Sequence, residues 1–148
     1  LGWHIVLHVD EPALLMHASA IAALACPVVI DHMARLPADA GLAQPAFQRL
    51  LKLAAMPHVW TKISAGDRMV AGAEDLQMAA PYMAALAAAA PTRTLWGTDW
   101  PHPNIKFMPD DGDMADLLAV AVPDAAARHA ILVDNPAALY QFGQEPQP

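Results

Sequence analysis

The chain has 148 residues, of which 56% are hydrophobic and 16% charged, and its formal net charge is −7. That is enough for one domain with its own core, and the composition is helix-leaning rather than disordered. The negative balance gives nucleic-acid binding no electrostatic support, and an anionic small molecule would need a local cationic pocket.

Trp3 to Val9 reads as a short strand, with Trp3, Ile5, Leu7 and Val9 on one face and His4, Val6 and His8 on the other. Asp10 ends it, and Glu11-Pro12 opens a helix to about Ala25 with Leu14, Leu15, Ala18, Ile21 and Ala22 on its apolar stripe. Cys26 is the single cysteine, which excludes an internal disulfide and reads as an inert buried thiol. Pro27 to Asp31 is a continuous apolar run, as in a parallel strand buried on both faces, and His32-Met33-Ala34-Arg35 stands at its exit. After a loop containing Pro37 and Gly41, Pro45 starts a helix to about Ala55.

His58 to Ser64 is the third strand, left through Ala65-Gly66-Asp67-Arg68-Met69. The sequence then reads as loop through Gln77, and a helix starting near Pro81 ends at Ala90. The fourth strand runs from Thr94 to Asp99, where Gly97, Pro101 and Pro103 forbid a regular continuation. Met114 to Val120 and Asp124 to Leu132 are helical, Asn135-Pro136 reads as N-cap and first position of a last short helix, and Gln144 to Pro148 is a polar tail.

Four strands, each followed by helix, imply an α/β fold with a parallel sheet and right-handed crossovers. The count fits a small doubly wound domain or half of an eight-stranded barrel. No glycine-rich phosphate loop follows any strand, which speaks against nucleotide binding. No apolar run approaches the roughly 20 residues of a membrane span, so the cytoplasm is the expected location.

Three strand exits carry chemistry-capable side chains: His32 and Arg35, then Lys62 and Arg68, then Asp99, His102 and Asn104. Neighbouring parallel strands lie roughly 5 Å apart, so these exits can converge on one small molecule. Each residue alone also has a plain structural explanation. His32 could be a hydrogen-bonded strand-end histidine, the arginines surface charges, and Lys62 a partner of Asp67.

Val29-Ile30-Asp31-His32-Met33, Val59-Trp60-Thr61-Lys62-Ile63-Ser64, Leu95-Trp96-Gly97-Thr98-Asp99-Trp100-Pro101-His102-Pro103-Asn104, Pro109-Asp110-Asp111-Gly112 and Leu132-Val133-Asp134-Asn135-Pro136 occur in that order. Together they resemble the C-terminal half of an amidohydrolase-superfamily TIM (β/α)8 barrel, most closely the 2-pyrone-4,6-dicarboxylate lactonase group. The resemblance implies a hydrolase of a small cyclic dicarboxylic ester, active in the breakdown of aromatic compounds, with Asp99 as general base toward water and His32 polarising the scissile carbonyl. It implies Arg35 and Arg68 as clamps for the substrate carboxylates, with His102 and Asn104 shaping the Asp99 loop or touching substrate. No cofactor is required on that reading. The alternative within the superfamily is a zinc- or manganese-dependent decarboxylase or amidohydrolase with His32 and Asp99 as metal ligands.

The superfamily's first strand carries a His-x-His pair that this chain lacks; His4 and His8 are four apart and do not replace it. The expectation is therefore a partial barrel, residues 1–148, whose first half is absent. Alone it would be inactive, with Val6, Val29 and Ile63 on inward faces deprived of their opposing half. Self-association through the open strand edges is expected, and a small anionic substrate is the expected partner of the complete enzyme.

Overall fold

The structure, a computed structural model, describes residues 2–142; the polar tail foreseen at Gln144 to Pro148 lies outside them. Four parallel strands, β1 (Ile5–Leu7), β2 (Val28–Ile30), β3 (Val59–Lys62) and β4 (Thr94–Leu95), form one sheet in the order β1-β2-β3-β4. Between and after them lie α1 (Glu11–Ala22), α2 (Pro45–Ala54), α3 (Ala80–Ala89), α4 (Asp111–Ala121), α5 (Ala125–His129) and α6 (Asn135–Tyr140). The sequence order of the strands is also their spatial order, as follows when each crossover returns the chain to the position next to the strand it left.

The helices start where the side chains dictate. Asp10 accepts a hydrogen bond from the Ala13 amide at the head of α1, Asp110 accepts one from Gly112 at the head of α4, and Asp124 caps α5 through Ala127. Prolines occupy the first turns of α1 and α2, which the chain enters from extended backbone, so a missing amide proton costs nothing there.

The register fixes which side chains share a face. Ile5 pairs with Val28, Val28 with Val59, Ile30 with Thr61, and Thr61 with Thr94. Val28, Ile30, Val59, Thr61 and Thr94 are all fully buried, on the face that the helices cover. There they meet Leu14 and Ile21 of α1, Phe47, Leu50 and Leu53 of α2, and Tyr82, Met83 and Leu86 of α3. The alternate positions, Val6, Val29, Trp60 and Lys62, face the other way. Among them Val6 is 47% exposed, whereas Val29 is closed off between its neighbours in the sheet.

Several sequence expectations are corrected. β1 is three residues rather than seven, leaving Trp3 76% exposed. β4 is two residues rather than six, because the chain turns away into the Asp99 loop as soon as it has paired with Thr61 and Lys62. α1 stops at Ala22, α4 begins three residues before Met114 at its aspartate cap, and the loop through Gln77 contains 3₁₀ turns at Gly66–Met69 and Ala73–Ala79. Ile63 belongs to the helix-side core, not to an inward face, since it keeps the parity of Val59 and Thr61.

Asn135 is not an N-cap. The chain is helical through it, with a π turn at Ala130–Asp134 joining α5 to α6. Its buried amide instead donates to the carbonyl oxygens of Pro91 at 2.9 Å and Thr94 at 2.8 Å, tying α6 to β4. Among the described residues, no helix is long and apolar enough to cross a membrane.

Candidate functional site

Each parallel strand delivers its next residues to the carboxyl edge of the sheet, and the side chains found there converge. His32 follows β2, Arg68 follows β3 by six residues, and Asp99 follows β4 by four. His32 Nε2 lies 3.4 Å from Asp99 Oδ1. Arg68 grips the other oxygen, Asp99 Oδ2, with Nε at 3.0 Å and Nη2 at 2.6 Å, and Nη2 also donates to the Pro103 carbonyl at 2.6 Å. The side chains of His32, Arg68 and Asp99 are 8%, 7% and 15% exposed, so this contact is largely shielded from water.

His32 is fixed on its second nitrogen as well. Nδ1 lies 2.8 Å from Ser64 Oγ. Both ring nitrogens are satisfied when Nδ1 accepts the Ser64 hydroxyl proton and Nε2–H points to the carboxylates. Burial pushes the His32 imidazole below its ordinary pKa, while Asp31 and Asp99 act in the opposite direction. The neutral ring is therefore the favoured form near neutrality, a donor at Nε2.

Lys62, foreseen as a partner of Asp67, pairs with a different carboxylate. Its Nζ meets Asp31 Oδ1 at 2.5 Å. The pairing of Ile30 with Thr61 makes Asp31 and Lys62 neighbours, and both lie on the sheet face away from the helices. Asp67 is buried, its Oδ1 has no hydrogen-bond partner among the described residues, and burial raises its carboxyl pKa against the pull of its own backbone amide and Arg68.

The backbone that carries these groups is left-handed at nearly every point. His32, Met33, Ala34 and Arg35 have φ of 51, 51, 54 and 51°, one turn of left-handed 3₁₀ helix without a glycine. Asp99, His102 and Asn104 have φ of 71, 55 and 59°. Of the six residues proposed for the site, only Arg68 escapes this region. Such residues cost of order 1–3 kcal/mol each, persist where surrounding packing over-determines them, and cluster at functional sites. Met33 and Ala34 are both fully buried, which is the packing that holds the turn. The bond Trp100–Pro101 is cis.

Arg35 reaches Val9 O at 3.4 Å and stands 4.0 Å from Asp10. Asn104 is exposed at the mouth beside it. His102 is buried under the Asp99 loop, where its amide donates to Asp99 O at 2.7 Å and its Nε2 lies 3.2 Å from Asp111. The structure thus brings His32, Arg68 and Asp99 into one cluster, places Arg35 and Asn104 on the adjoining cavity, and sets His102 beneath the loop. Sequence reasoning missed two members, Ser64 and Asp31; both are polar residues at strand ends, the signal that marked His32 and Asp99.

His32 and Asp99 are also the donors that an ion would use. Among the described residues no three His, Cys, Asp or Glu side chains converge on one point, and one Asp99 oxygen is already held by Arg68. Among the described residues the cluster offers an ion His32 and one oxygen of Asp99, so an ion would need further ligands from elsewhere.

A family model described as Amidohydrolase matches residues 1–142. The 4-sulfomuconolactone hydrolase of Rhizobium radiobacter is 43% identical over 143 residues, covering 95% of this chain and 48% of the relative. A solved Pseudomonas putida structure named as a 2-pyrone-4,6-dicarboxylic acid hydrolase superposes with a TM-score of 0.84 at 32% identity, covering 97% of this chain and 54% of that one. A Burkholderia multivorans amidohydrolase structure with bound zinc superposes at 0.77 with 26% identity, covering 94% and 52%. The chain spans about half the length of the curated relatives it matches.

Proposed function

The chain belongs to the amidohydrolase family, and from that premise we propose that the complete protein is a hydrolase that opens the ring of a small lactone bearing anionic groups. The observation that carries this reading is the unequal treatment of the two Asp99 oxygens. Oδ2 is held by two Arg68 donors, while Oδ1 has, among the described residues, only the 3.4 Å contact with His32 Nε2. A carboxylate fixed on one side and open on the other is suited to orient and deprotonate a water molecule.

In the proposed reaction Asp99 Oδ1 takes a proton from water as the water oxygen bonds to the lactone carbonyl carbon. The neutral His32, held by Ser64, donates Nε2–H to the oxygen on which negative charge develops. The acyl–oxygen bond to the ring then breaks, and the ring oxygen leaves with the proton that Asp99 has collected. Water plus lactone gives a hydroxy acid, with the carboxylate restored. Arg35 and Asn104, at the mouth of the adjoining cavity, are placed to hold a substrate carboxylate; Arg suits this because its planar fork meets both oxygens. Arg68 has two of its donors on Asp99, so its main task on this reading is to orient the base.

The relatives named as sulfomuconolactone and pyrone dicarboxylate hydrolases support the lactone class. On the same reading the strands β1 to β4 are four consecutive strands of an eight-stranded barrel, and the 148-residue chain alone is inactive. A zinc-dependent amidohydrolase using His32 and Asp99 is the second reading, favoured by the zinc-bound structural neighbour. The test is hydrolysis of 2-pyrone-4,6-dicarboxylate and 4-sulfomuconolactone by the complete protein, before and after exhaustive chelation. Turnover that survives chelation supports the Asp99–water reading; turnover lost and restored by zinc supports the second; no turnover of either lactone removes both substrates.

A further inference from the structure

Beside the His32–Arg68–Asp99 cluster lies a cavity of about 260 Å³ lined by Asp10, Arg35, Arg68, Asn104, Ile105 and Lys106. Three of its six residues are cationic in a chain that has eight lysines and arginines against fifteen acids. This is the local reversal of the global field that an anionic ligand needs. The cations are not equally committed. Arg68 is engaged by the Asp99 carboxylate, and Arg35 stands 4.0 Å from Asp10. Lys106 is different: its ammonium donates to the Val70 carbonyl at 3.0 Å and forms no ion pair among the described residues. A neutral carbonyl is a weak partner for a full charge, and a carboxylate or sulfonate oxygen would be a stronger one.

Lys106 also lines a second cavity, of about 210 Å³, whose other lining residues include Asp39 and Asp75. It thus borders a basic hollow and an acidic one on a flexible four-carbon stem. Residues 104–106 continue the loop that starts at Asp99, so the chain that fixes the base also fixes this cation.

We propose that Lys106 joins Arg35 and Asn104 in holding the substrate's anionic group in this cavity, and that it is the cation that selects substrates carrying such a group. The inference rests on the lactone-hydrolase reading for its substrate and on the cavity alone for its anion. The anionic group is a carboxylate or a sulfonate. Both offer the oxygens that an ammonium binds as a point charge, and the geometry of Lys106 favours neither.

The experiment uses the complete protein, its Lys106→Gln and Lys106→Arg variants, and pyridine-2,4-dicarboxylate as a dianionic ring that cannot be hydrolysed. Calorimetric titration should show Lys106→Gln binding about tenfold or more weakly, the order expected when one charged partner is lost, with Lys106→Arg recovering most of the affinity. The loss should shrink at high salt, since Lys106 is solvent-exposed. With 2-pyrone-4,6-dicarboxylate and 4-sulfomuconolactone as substrates, Lys106→Gln should raise KM and leave kcat within about twofold. A larger rise for one of them assigns the subsite to carboxylate or to sulfonate.

Equal Kd for wild type and Lys106→Gln at low salt would overturn the subsite, as would failure of the wild type to bind the dicarboxylate. If the wild type binds it, the variant binds it weakly, and neither lactone is opened, the subsite stands and the lactone reading falls.

Discussion

The two faces of the sheet obey different physics. On the helix-covered face Val28, Ile30, Val59, Thr61 and Thr94 are fully buried and meet apolar side chains from three helices. On the opposite face Val6 is nearly half exposed, Trp60 and Lys62 are partly exposed, and the most prominent contact is the Asp31–Lys62 ion pair. One face carries cohesion, the other and its carboxyl edge carry charge. Residues on the first are replaceable by anything of the right volume and polarity, whereas residues on the second matter by the identity of their atoms.

Ways to break this contrast begin with the covered face. Ile30→Ala in the complete protein should cost about 2–5 kcal/mol of stability in urea unfolding, because a fully buried side chain leaves a cavity that helices on one side can only partly close. A cost below about 1 kcal/mol would mean that this face is not the main core.

At the carboxyl edge the readout changes from stability to rate. Asp99→Asn should lower kcat by roughly a hundredfold or more, the usual share of a general base, and also lower stability, because the largely buried Arg68 loses its counter-charge. The amide keeps the shape and loses the basic oxygen. Near-normal turnover would make Asp99 a structural partner of Arg68 and nothing more.

Thr61 is the flaw in the covered face. Its Oγ1 is buried with no hydrogen-bond partner among the described residues, while Thr94 Oγ1 beside it donates to Ala90 O at 2.8 Å. Thr61→Val should therefore stabilise the protein by about 1 kcal/mol, since an unsatisfied hydroxyl is removed at nearly constant volume. Destabilisation in thermal melts would reveal a hydroxyl that is satisfied after all.

The open face is sharpened by Val6→Thr, made in both the 148-residue chain and the complete protein. In the short chain its effect should stay within about 0.5 kcal/mol, as at an exposed site. If further strands cover this face in the complete protein, the same change should cost about 1 kcal/mol more there. Equal effects in both would argue against the eight-stranded barrel.

The smallest effect is on the pH profile. His32 has a pKa lowered by burial, so the unfolded chain takes up a proton before the folded one as pH falls. Stability should be lost from about pH 6.5 downward, until the lowered folded value is passed, and be flat above. His32→Gln should remove that slope when unfolding is followed between pH 5 and 8.

Much of this architecture was legible in the residues. The apolar run at Val28–Ile30, the β-branched and aromatic residues of Val59–Lys62, the prolines at helix starts and the capping aspartates each reflect local energetics. His32 and Asp99 were singled out because they stand at strand exits, and the parallel topology then brings their side chains together without long-range information. The misses share another cause. Asn135-Pro136 is a good capping pattern, but the tertiary carbonyls of Pro91 and Thr94 outbid the local role of the amide. Lys62 met Asp31 rather than Asp67 because strand register, not sequence distance, decides neighbours. The Arg68 grip on Asp99 depends on two irregular loops, whose conformations no periodicity encodes.

The left-handed turn from His32 to Arg35 sets what substitutions the chain accepts. Three residues per turn put side chains i and i+3 on the same side, so one turn presents an imidazole and a guanidinium together. Met33 and Ala34 stand between them with no functional atom, yet their backbone angles penalise every residue with a β-carbon, and branched ones most. At position 34, then, the usual order of helix-forming merit is inverted. Glycine becomes the residue of least strain, and valine or isoleucine the ones that the fold rejects, in a segment whose composition would otherwise read as ordinary helix.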